Sequence, residues 1–376
     1  MTELTPEQVM IKDTATNFAK EYILPFSNEW DEKSYFPIDV IKKSAELGFG
    51  SIYIPESCGG SGLGRLEASL IFESLAYGCA STSAFISIHN MVNWMVAEFG
   101  NDKQRAEICP ELSAMNILGS YCLTEPNSGS DAIAMKTTAK VDGNDFVLNG
   151  SKMFISGGNS SDIYLVMCKT GEKEISAILV PKDTKGISFG KFEKKMGWKN
   201  QPTTLVLFED CRVPQSNLVG VKGEGFKYAM SGLNGGRINI ASCSLGGAQY
   251  AFDRALSYTN ERKQFGQKIF DFQNTQFKLA EMAARIYASR LLVRSAARAL
   301  DSDDPDKISM ASMAKMVATE DCFWVVDEAL QLFGGYGYLH EYGIERVLRD
   351  LRVHRILEGT NEIMKVIVSR NLKKYL

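Results

Sequence analysis

The sequence predicts an α+β fold in three consecutive parts: a helical domain over 1–118, an antiparallel β domain over 119–225 and a helical bundle over 226–376. Three observations carry this. Apolar residues recur at helical spacing up to about Gly119. Turn-punctuated, β-rich runs replace them up to about Gly225, and longer helical stripes then return. No helix interrupts the β-rich runs, so a βαβ unit and a Rossmann-type nucleotide domain are disfavoured.

In the first part, Thr5-Pro6 starts a helix with Pro at its first position. Ile11, Ala15, Phe18 and Tyr22 give it one apolar face. Pro37 opens a second helix through Leu47, closed by Gly48. The stretch Gly59–Gly64 fits neither GxGxxG nor a P-loop, and it reads as a flexible connector. Helices are expected over Leu66–Tyr77, Ser83–Phe99 and Asp102–Met115.

In the second part, Asp142-Gly143 and Asn149-Gly150 are turns on either side of Phe146-Val147-Leu148. Ile163–Met167, Ile175–Val180, Ile187–Phe192 and Thr203–Phe208 follow as short strands. Their close spacing predicts a small antiparallel sandwich or barrel. In the third part, Leu279, Met282, Ile286, Val293 and Leu300 form an apolar stripe. Arg290, Arg294 and Arg298 recur every four residues on another face, read as solvated. Asp304-Pro305 starts the next helix, with Met316, Val317, Phe323, Trp324 and Leu330 on one face and Gly334-Gly335 as the stop. Long amphipathic helices with short connections predict an antiparallel bundle.

Composition bounds the function. A chain with 45% hydrophobic and 23% charged residues is an ordinary globular protein. Net charge −3 and the lack of a basic block argue against nucleic acid as a partner. No run approaches the ~18 apolar residues of a membrane span. The first residues show neither a signal-peptide core nor transit-peptide character, so the protein stays where it is made or has lost a targeting segment. Eight scattered cysteines without a CxxC read as buried free thiols in a reducing compartment. His89, His340 and His354 share no metal-ligand spacing, so no metal is expected.

One residue stands out near the end, in Arg355-Ile356-Leu357-Glu358-Gly359-Thr360-Asn361-Glu362. Glu358 follows two aliphatic residues and precedes Gly. Two readings stand: a surface carboxylate beginning a helix, or a buried one whose raised pKa makes it a proton acceptor near neutrality.

Five motifs then occur in order: Tyr121-Cys122-Leu123-Thr124-Glu125-Pro126-Asn127-Ser128-Gly129-Ser130-Asp131; Asn149–Lys152 with Phe154-Ile155-Ser156-Gly157; Arg262-Lys263-Gln264-Phe265-Gly266; Gln331-Leu332-Phe333-Gly334-Gly335-Tyr336-Gly337; and Ile356–Thr360. With them the chain resembles the acyl-CoA dehydrogenase family over essentially its whole length. Two departures are mild: Asn127 stands where members often have Gly, and Phe154 where they often have Trp.

The resemblance implies a helical domain, a central β domain and a C-terminal four-helix bundle. It implies FAD as cofactor, held by Tyr121, Leu123, Thr124, Ser130, Phe154, Ile155 and Ser156. Arg262, Phe272 and Gln273 would come from a neighbouring subunit to hold its pyrophosphate and adenosine end. Gln331, Leu332, Phe333, Gly334 and Gly335 would lie along the same cofactor, with Thr360, Asn361 and Glu362 close by. Acyl-CoA would meet Ser130, Asn234, Gly235, Gly236, Arg237 and Arg370. Glu358 would be the catalytic base. In some branches the base stands at position 236 instead, and here that residue is Gly.

The implied reaction is α,β-dehydrogenation of an acyl-CoA, with hydride to the flavin and electrons passed to an electron-transfer flavoprotein. A homotetramer is expected, in the mitochondrial matrix of a eukaryote or the cytoplasm of a bacterium. Ser87–Met91, Gly197–Pro202 and Leu233–Cys243 look most like the isobutyryl-CoA branch, with 2-methylbutyryl- or butyryl-CoA as the nearest alternatives. Two more distant readings are an acyl-CoA oxidase and a non-catalytic acyl-CoA-binding member. Oxidases commonly carry a long C-terminal extension, whereas this chain ends at Leu376.

Overall fold

The computed structural model describes residues 4–372. Residues 1–3 and 373–376, and with them the expectations placed on the first residues and on the chain end, lie outside it. Seven helices come first: α1 (Pro6–Phe18), α2 (Ser27–Lys33), α3 (Ile38–Ser44), α4 (Arg65–Gly78), α5 (Ala80–Phe99), α6 (Asp102–Glu107) and α7 (Cys109–Ser113). Thr5 caps α1: its hydroxyl accepts from the Gln8 N–H at 3.2 Å, and the Gln8 side chain accepts from the Thr5 N–H in return. Pro37 caps α3 rather than starting it. The single helix expected over 102–115 is broken between α6 and α7, because Pro110 has no N–H for the carbonyl one turn back. The Gly-rich stretch is not a loose connector. Ser61, Gly62 and Leu63 donate backbone hydrogen bonds to Ser51, Ile54 and Ile52, and a Cβ at Gly60 would lie 2.1 Å from the Ile54 carbonyl oxygen.

The β domain contains β1 (Gly119–Cys122), β2 (Thr138–Asp142), β3 (Asp145–Ser156), β4 (Ile163–Lys169), β5 (Ile175–Pro181), β6 (Ile187–Phe189), β7 (Thr203–Pro214) and β8 (Leu218–Val219). The order is β6-β7-β3-β2-β4-β5-β8, with β1 paired to β4. Pairing is antiparallel except β1 with β4 and β2 with β4, which are parallel. β1 and β2 went unread because each is short and only partly apolar. The continuous apolar run of β4 has a physical reason. Tyr164, Val166 and Cys168 face the β core, while Ile163, Leu165 and Met167 face the helices.

After β8 comes α8 (Gly225–Glu261), a small hairpin of β9 (Lys263–Gln264) and β10 (Gln267–Lys268), then α9 (Gln273–Asp301), α10 (Lys307–Phe333), α11 (Ile344–Arg352) and α12 (Asn361–Asn371). Leu279, Met282, Ile286 and Val293 of the predicted α9 stripe are buried, and Leu300 is partly so. On α10 the face named from sequence is only half-buried. The fully buried stripe beside it is mostly small: Ala311, Ala314, Ala318, Cys322, Val325 and Ala329. The arginine row is not a solvated face. Arg290 donates to Glu73 of α4 at 2.7 Å and to Gln249 of α8 at 2.8 Å, and Arg294 lies 3.7 Å from the same Glu73. All eight cysteines are buried and unpaired. Among the described residues no helix is long and apolar enough to cross a membrane, and no cluster of His, Cys, Asp or Glu could hold a metal.

Among the approaches that join the bundle to the first domain, the tightest backbone one is at Gly246. A Cβ at Gly246 of α8 would lie 2.2 Å from the Glu73 carbonyl oxygen and 2.7 Å from the Ala76 Cβ. Gly246→Ala therefore costs about 1–3 kcal/mol of stability. Chemical denaturation checks this against Gly129→Ala, which has nothing within 4 Å and should change stability by about 0.5 kcal/mol or less.

Candidate active site

Glu358 lies between a short 3-10 turn (Val353–Arg355) and α12. It does not begin that helix. Thr360 caps α12, its hydroxyl accepting from the Ile363 N–H at 3.3 Å. Glu358 and Gly359 both have left-handed backbone, φ 57° and 88°. For Glu this conformation is uncommon and persists only where surroundings impose it. Here Lys315 of α10 donates to the Gly359 carbonyl at 2.8 Å and to Asn361 Oδ1 at 2.9 Å. Arg237 Nε makes a long contact of 3.4 Å to the Glu358 carbonyl oxygen.

The turn folds the carboxylate onto the backbone of α8. A Cβ at Gly236 would lie 2.5 Å from Glu358 Oε2 and 2.9 Å from Cδ. Although the residue as a whole is partly exposed, Oε2 is buried and has no hydrogen-bond partner. Burial raises the pKa from 4.5 to about 7, opposed first by Arg237 and then by Lys315. Tyr121 of β1 stands close enough for Glu358 to add to the burial that raises its phenol pKa, and its hydroxyl is also buried without a partner.

The other expected substrate residues divide. Asn234 and Arg237 are buried and bonded to each other, Arg237 Nη1 donating to Asn234 Oδ1 at 2.8 Å. Gly235 is filled from outside by Arg65, whose Nη1 would lie 2.3 Å from a Cβ there. Arg65 is itself stacked on Tyr53 at 3.5 Å. Ser130 is exposed. Arg370 is exposed in the last turn of α12, about 15 Å of helix rise from Thr360.

On the β domain two expected segments meet. The Thr124 carbonyl accepts from the Met153 N–H at 2.8 Å, and the Ser156 carbonyl accepts from Ser120 Oγ at 2.6 Å. Leu123, Thr124 and Ser156 are partly buried. Periodicity alone makes Phe154 a core strand residue, but β3 is irregular between Lys152 and Ile155. Phe154 has φ 60° and is 60% exposed, while Ile155 stays in the β core and offers a ligand only its backbone.

The remaining residues form a second cluster. A cavity of about 390 Å³ is lined by Arg262, Gln331, Leu332, Phe333, Gly334 and Gly335, with Tyr258 and Tyr336 among its walls. Neither Gly334 nor Gly335 has anything within 4 Å of where a Cβ would stand. Phe272 is partly exposed and Gln273 exposed, just beyond the β9–β10 hairpin. Lys315 and Gly334 are separated by about 28 Å of rise along α10, so the two clusters meet that helix far apart, one in its first half and one at its C-terminal end. Beside Glu358, Asn361 is buried and fully used within the chain, bonding Lys315, Thr319 and Glu320, while Glu362 is exposed.

Sequence reasoning gave no role to Lys152, Glu125 or Lys315. Lys152 is fully buried and donates to Glu125 at 2.8 Å and to the Leu123 carbonyl at 2.9 Å, and Glu125 accepts from the N–H groups of Lys136 and Thr137. This pair fixes the segment that carries Leu123 and Thr124. The available signal was a lysine set among apolar neighbours, as also at 315.

Three family models match: "Acyl-CoA dehydrogenase, N-terminal domain" over 5–116, "middle domain" over 120–211 and "C-terminal domain" over 223–373. The chain is 53% identical to the mitochondrial isobutyryl-CoA dehydrogenase of Dictyostelium discoideum, across 99% of this chain and 90% of that protein. It is 52% identical to the mitochondrial isobutyryl-CoA dehydrogenase of Bos taurus, across 98% and 89%. The structure superposes on butyryl-CoA dehydrogenase from Megasphaera elsdenii with TM-score 0.96 at 35% identity, covering 99% of this chain and 100% of that one.

The raised carboxyl has a thermodynamic consequence. Between pH 4.5 and 7 the folded state holds a proton that the unfolded chain has lost, so stability falls as pH rises through that window and stays low above it. Glu358→Gln removes the cost. At pH 8 it should be more stable than the parent by up to about 3 kcal/mol, and at pH 4 no more stable, as read by denaturation at the two pH values.

Proposed function

The chain belongs to the acyl-CoA dehydrogenase family, flavin-dependent oxidoreductases, and from that premise we propose that it oxidises a short branched acyl-CoA, isobutyryl-CoA first, to the 2-enoyl-CoA with Glu358 as base. The observation that carries this reading is the buried, unpartnered Oε2 of Glu358, held against Gly236 with a pKa of about 7. A carboxylate with that pKa is half ionised at neutrality, and its conjugate acid is stable enough to keep the proton it takes. Desolvation that raises the pKa also removes the water that would compete for the base.

The α-proton of a thioester is only weakly acidic, so removal needs stabilisation of charge developing on the thioester oxygen. The backbone N–H of Glu358 donates to no protein group among the described residues and is available for that oxygen. Arg237 and Lys315 place two cations near the same point, which favours the ionised base. Isobutyryl preference is supported by the names of the two relatives and by the motifs around 87–91, 197–202 and 233–243. An apolar pocket discriminates one methylene by only about 1–3 kcal/mol, so butyryl- and 2-methylbutyryl-CoA are slower substrates rather than excluded ones.

The residues present fit FAD. Tyr121 Oη is an unpartnered polar atom beside Glu358, Phe154 is turned outward by the bulge as a flat face, and Gly334-Gly335 leave bare backbone next to Arg262. Tyr121, Leu123, Thr124, Ser130, Phe154, Ile155, Ser156 and Thr360 would hold the flavin end. Arg262, Phe272, Gln273 and residues 331–335 would hold the pyrophosphate and adenosine end. When bound, the flavin supplies the two-electron acceptor for the β-hydride. The separation along α10 supports the expectation that the two ends belong to different subunits of a homotetramer. An electron-transfer flavoprotein as electron acceptor, domain boundaries near 118 and 225, and a mitochondrial matrix or bacterial cytoplasmic location complete the proposal.

Anaerobic mixing with a panel of acyl-CoAs tests the function. Isobutyryl-CoA should bleach the flavin spectrum faster than butyryl- or 2-methylbutyryl-CoA, and equal or slower bleaching defeats the substrate assignment. Glu358→Gln should keep acyl-CoA binding and lose about 10²–10⁴-fold in the bleaching rate. Reduced enzyme should react slowly with air; rapid reoxidation would make it an oxidase.

A further inference from the structure

Lys315 is fully buried on the face of α10 that also carries Ala311, Ala314 and Ala318. An apolar side chain there would avoid the cost of desolvating an ammonium. Its Nζ has no carboxylate oxygen within 4.0 Å among the described residues, so the charge is not spent in an ion pair. Its hydrogen bonds go instead to the Gly359 carbonyl and to Asn361 Oδ1, the residues just after the left-handed Glu358. Asn361 is held in turn by Thr319 and Glu320, so the clamp is anchored on α10 from both ends.

We propose that Lys315 is the positioning residue of the base: its ammonium fixes the strained turn that carries Glu358 and supplies a fixed positive charge beside the carboxylate. This rests on the reading of Glu358 as the base. Several other ionisable groups act on this pair. Arg237 of α8 acts on both members, and on the carboxyl it is the stronger of the two cations. Glu320 of α10 and Glu362 of α12 act on Lys315. Tyr121 of β1, and Tyr53 in the segment before α4, feel Glu358. His354 is buried, with its pKa lowered to about 3, and adds no charge near neutrality. Burial lowers the Lys315 pKa to about 8, still above that of Glu358, so the lysine is mostly cationic at the carboxyl's midpoint.

The two roles separate experimentally in flavin-loaded protein. Lys315→Met removes clamp and charge, Lys315→Gln keeps a donor without the charge, and Lys315→Arg keeps the charge. The Glu358 carboxyl is titrated by infrared difference spectroscopy, its protonated band identified by its loss in Glu358→Gln. The pH profile of flavin reduction by isobutyryl-CoA is recorded alongside. In Lys315→Met and Lys315→Gln the midpoint should rise by roughly one pH unit or more, since the lost charge favoured the ionised carboxylate. Reduction at pH 7 should fall about tenfold and recover at higher pH in Lys315→Gln, while the Lys315→Arg midpoint stays at the parent value. An unchanged midpoint, with reduction lowered by the same factor at every pH, would leave Lys315 a simple brace and overturn the proposal. If Glu358→Gln still bleaches the flavin at the parent rate, the base assignment itself fails, and the infrared midpoint still reports whether Lys315 acts on the carboxyl.

Discussion

Glycines at 232, 235, 236, 246 and 247 remove side chains from α8 where other parts of the chain come against it. Met95 of α5 meets the helix at 232, Arg65 at 235, Glu358 at 236, α4 at 246 and Leu351 of α11 at 247. At each place a Cβ would stand under 3.0 Å from the neighbour. Glycine within a helix costs roughly 0.5–1 kcal/mol each relative to alanine. That cost is offset by contacts that bring first-domain helices, the bundle and Glu358 onto one axis. The buried core is correspondingly continuous from α1 to α11, with a separate core only inside the sheet.

Around Glu358 the same economy applies to charge. One buried carboxylate sits near two largely buried cations, Arg237 and Lys315, neither of which bonds its oxygens. A direct ion pair would hold the pKa low and leave a poor base; no cation at all would raise it beyond use near neutrality. Cations bound to carbonyl and amide oxygens instead of the carboxylate give the intermediate value. Backbone strain at 358 is tolerable because the turn is fixed at both its carbonyls, by Arg237 and by Lys315.

Much of this was legible in the residues. The order helix, sheet, bundle follows from periodicity, and the β4 and β5 runs stand where alternation is replaced by continuous apolar sequence. What periodicity could not give were features set by distant partners. The arginine row looks solvated because Glu73 lies more than two hundred residues away in sequence. Phe154 looks like core because a bulge leaves no mark in a strand's apolar pattern. The fully buried stripe of α10 was passed over because it is made of alanines, which carry little apolar signal. For the site, Glu358 alone was ambiguous between a helix start and a buried base, and only the family motifs favoured the second. The residues that hold the site, Lys152 and Lys315, are charged residues at core positions, which hydrophobic patterning treats as errors.

The relation between Gly236 and Glu358 explains why one of these positions must be small. In the resemblance drawn from sequence, related branches place the base at 236, on α8, rather than at 358. Here the carboxyl carbon of Glu358 would lie 2.9 Å from a Cβ at 236, and Oε2 nearer still. A side chain at 236 and a carboxylate at 358 therefore compete for one volume. With Glu at 358, glycine at 236 is the space its carboxyl group occupies. Any side chain introduced there would push the carboxylate toward solvent, removing the burial that gives it its pKa.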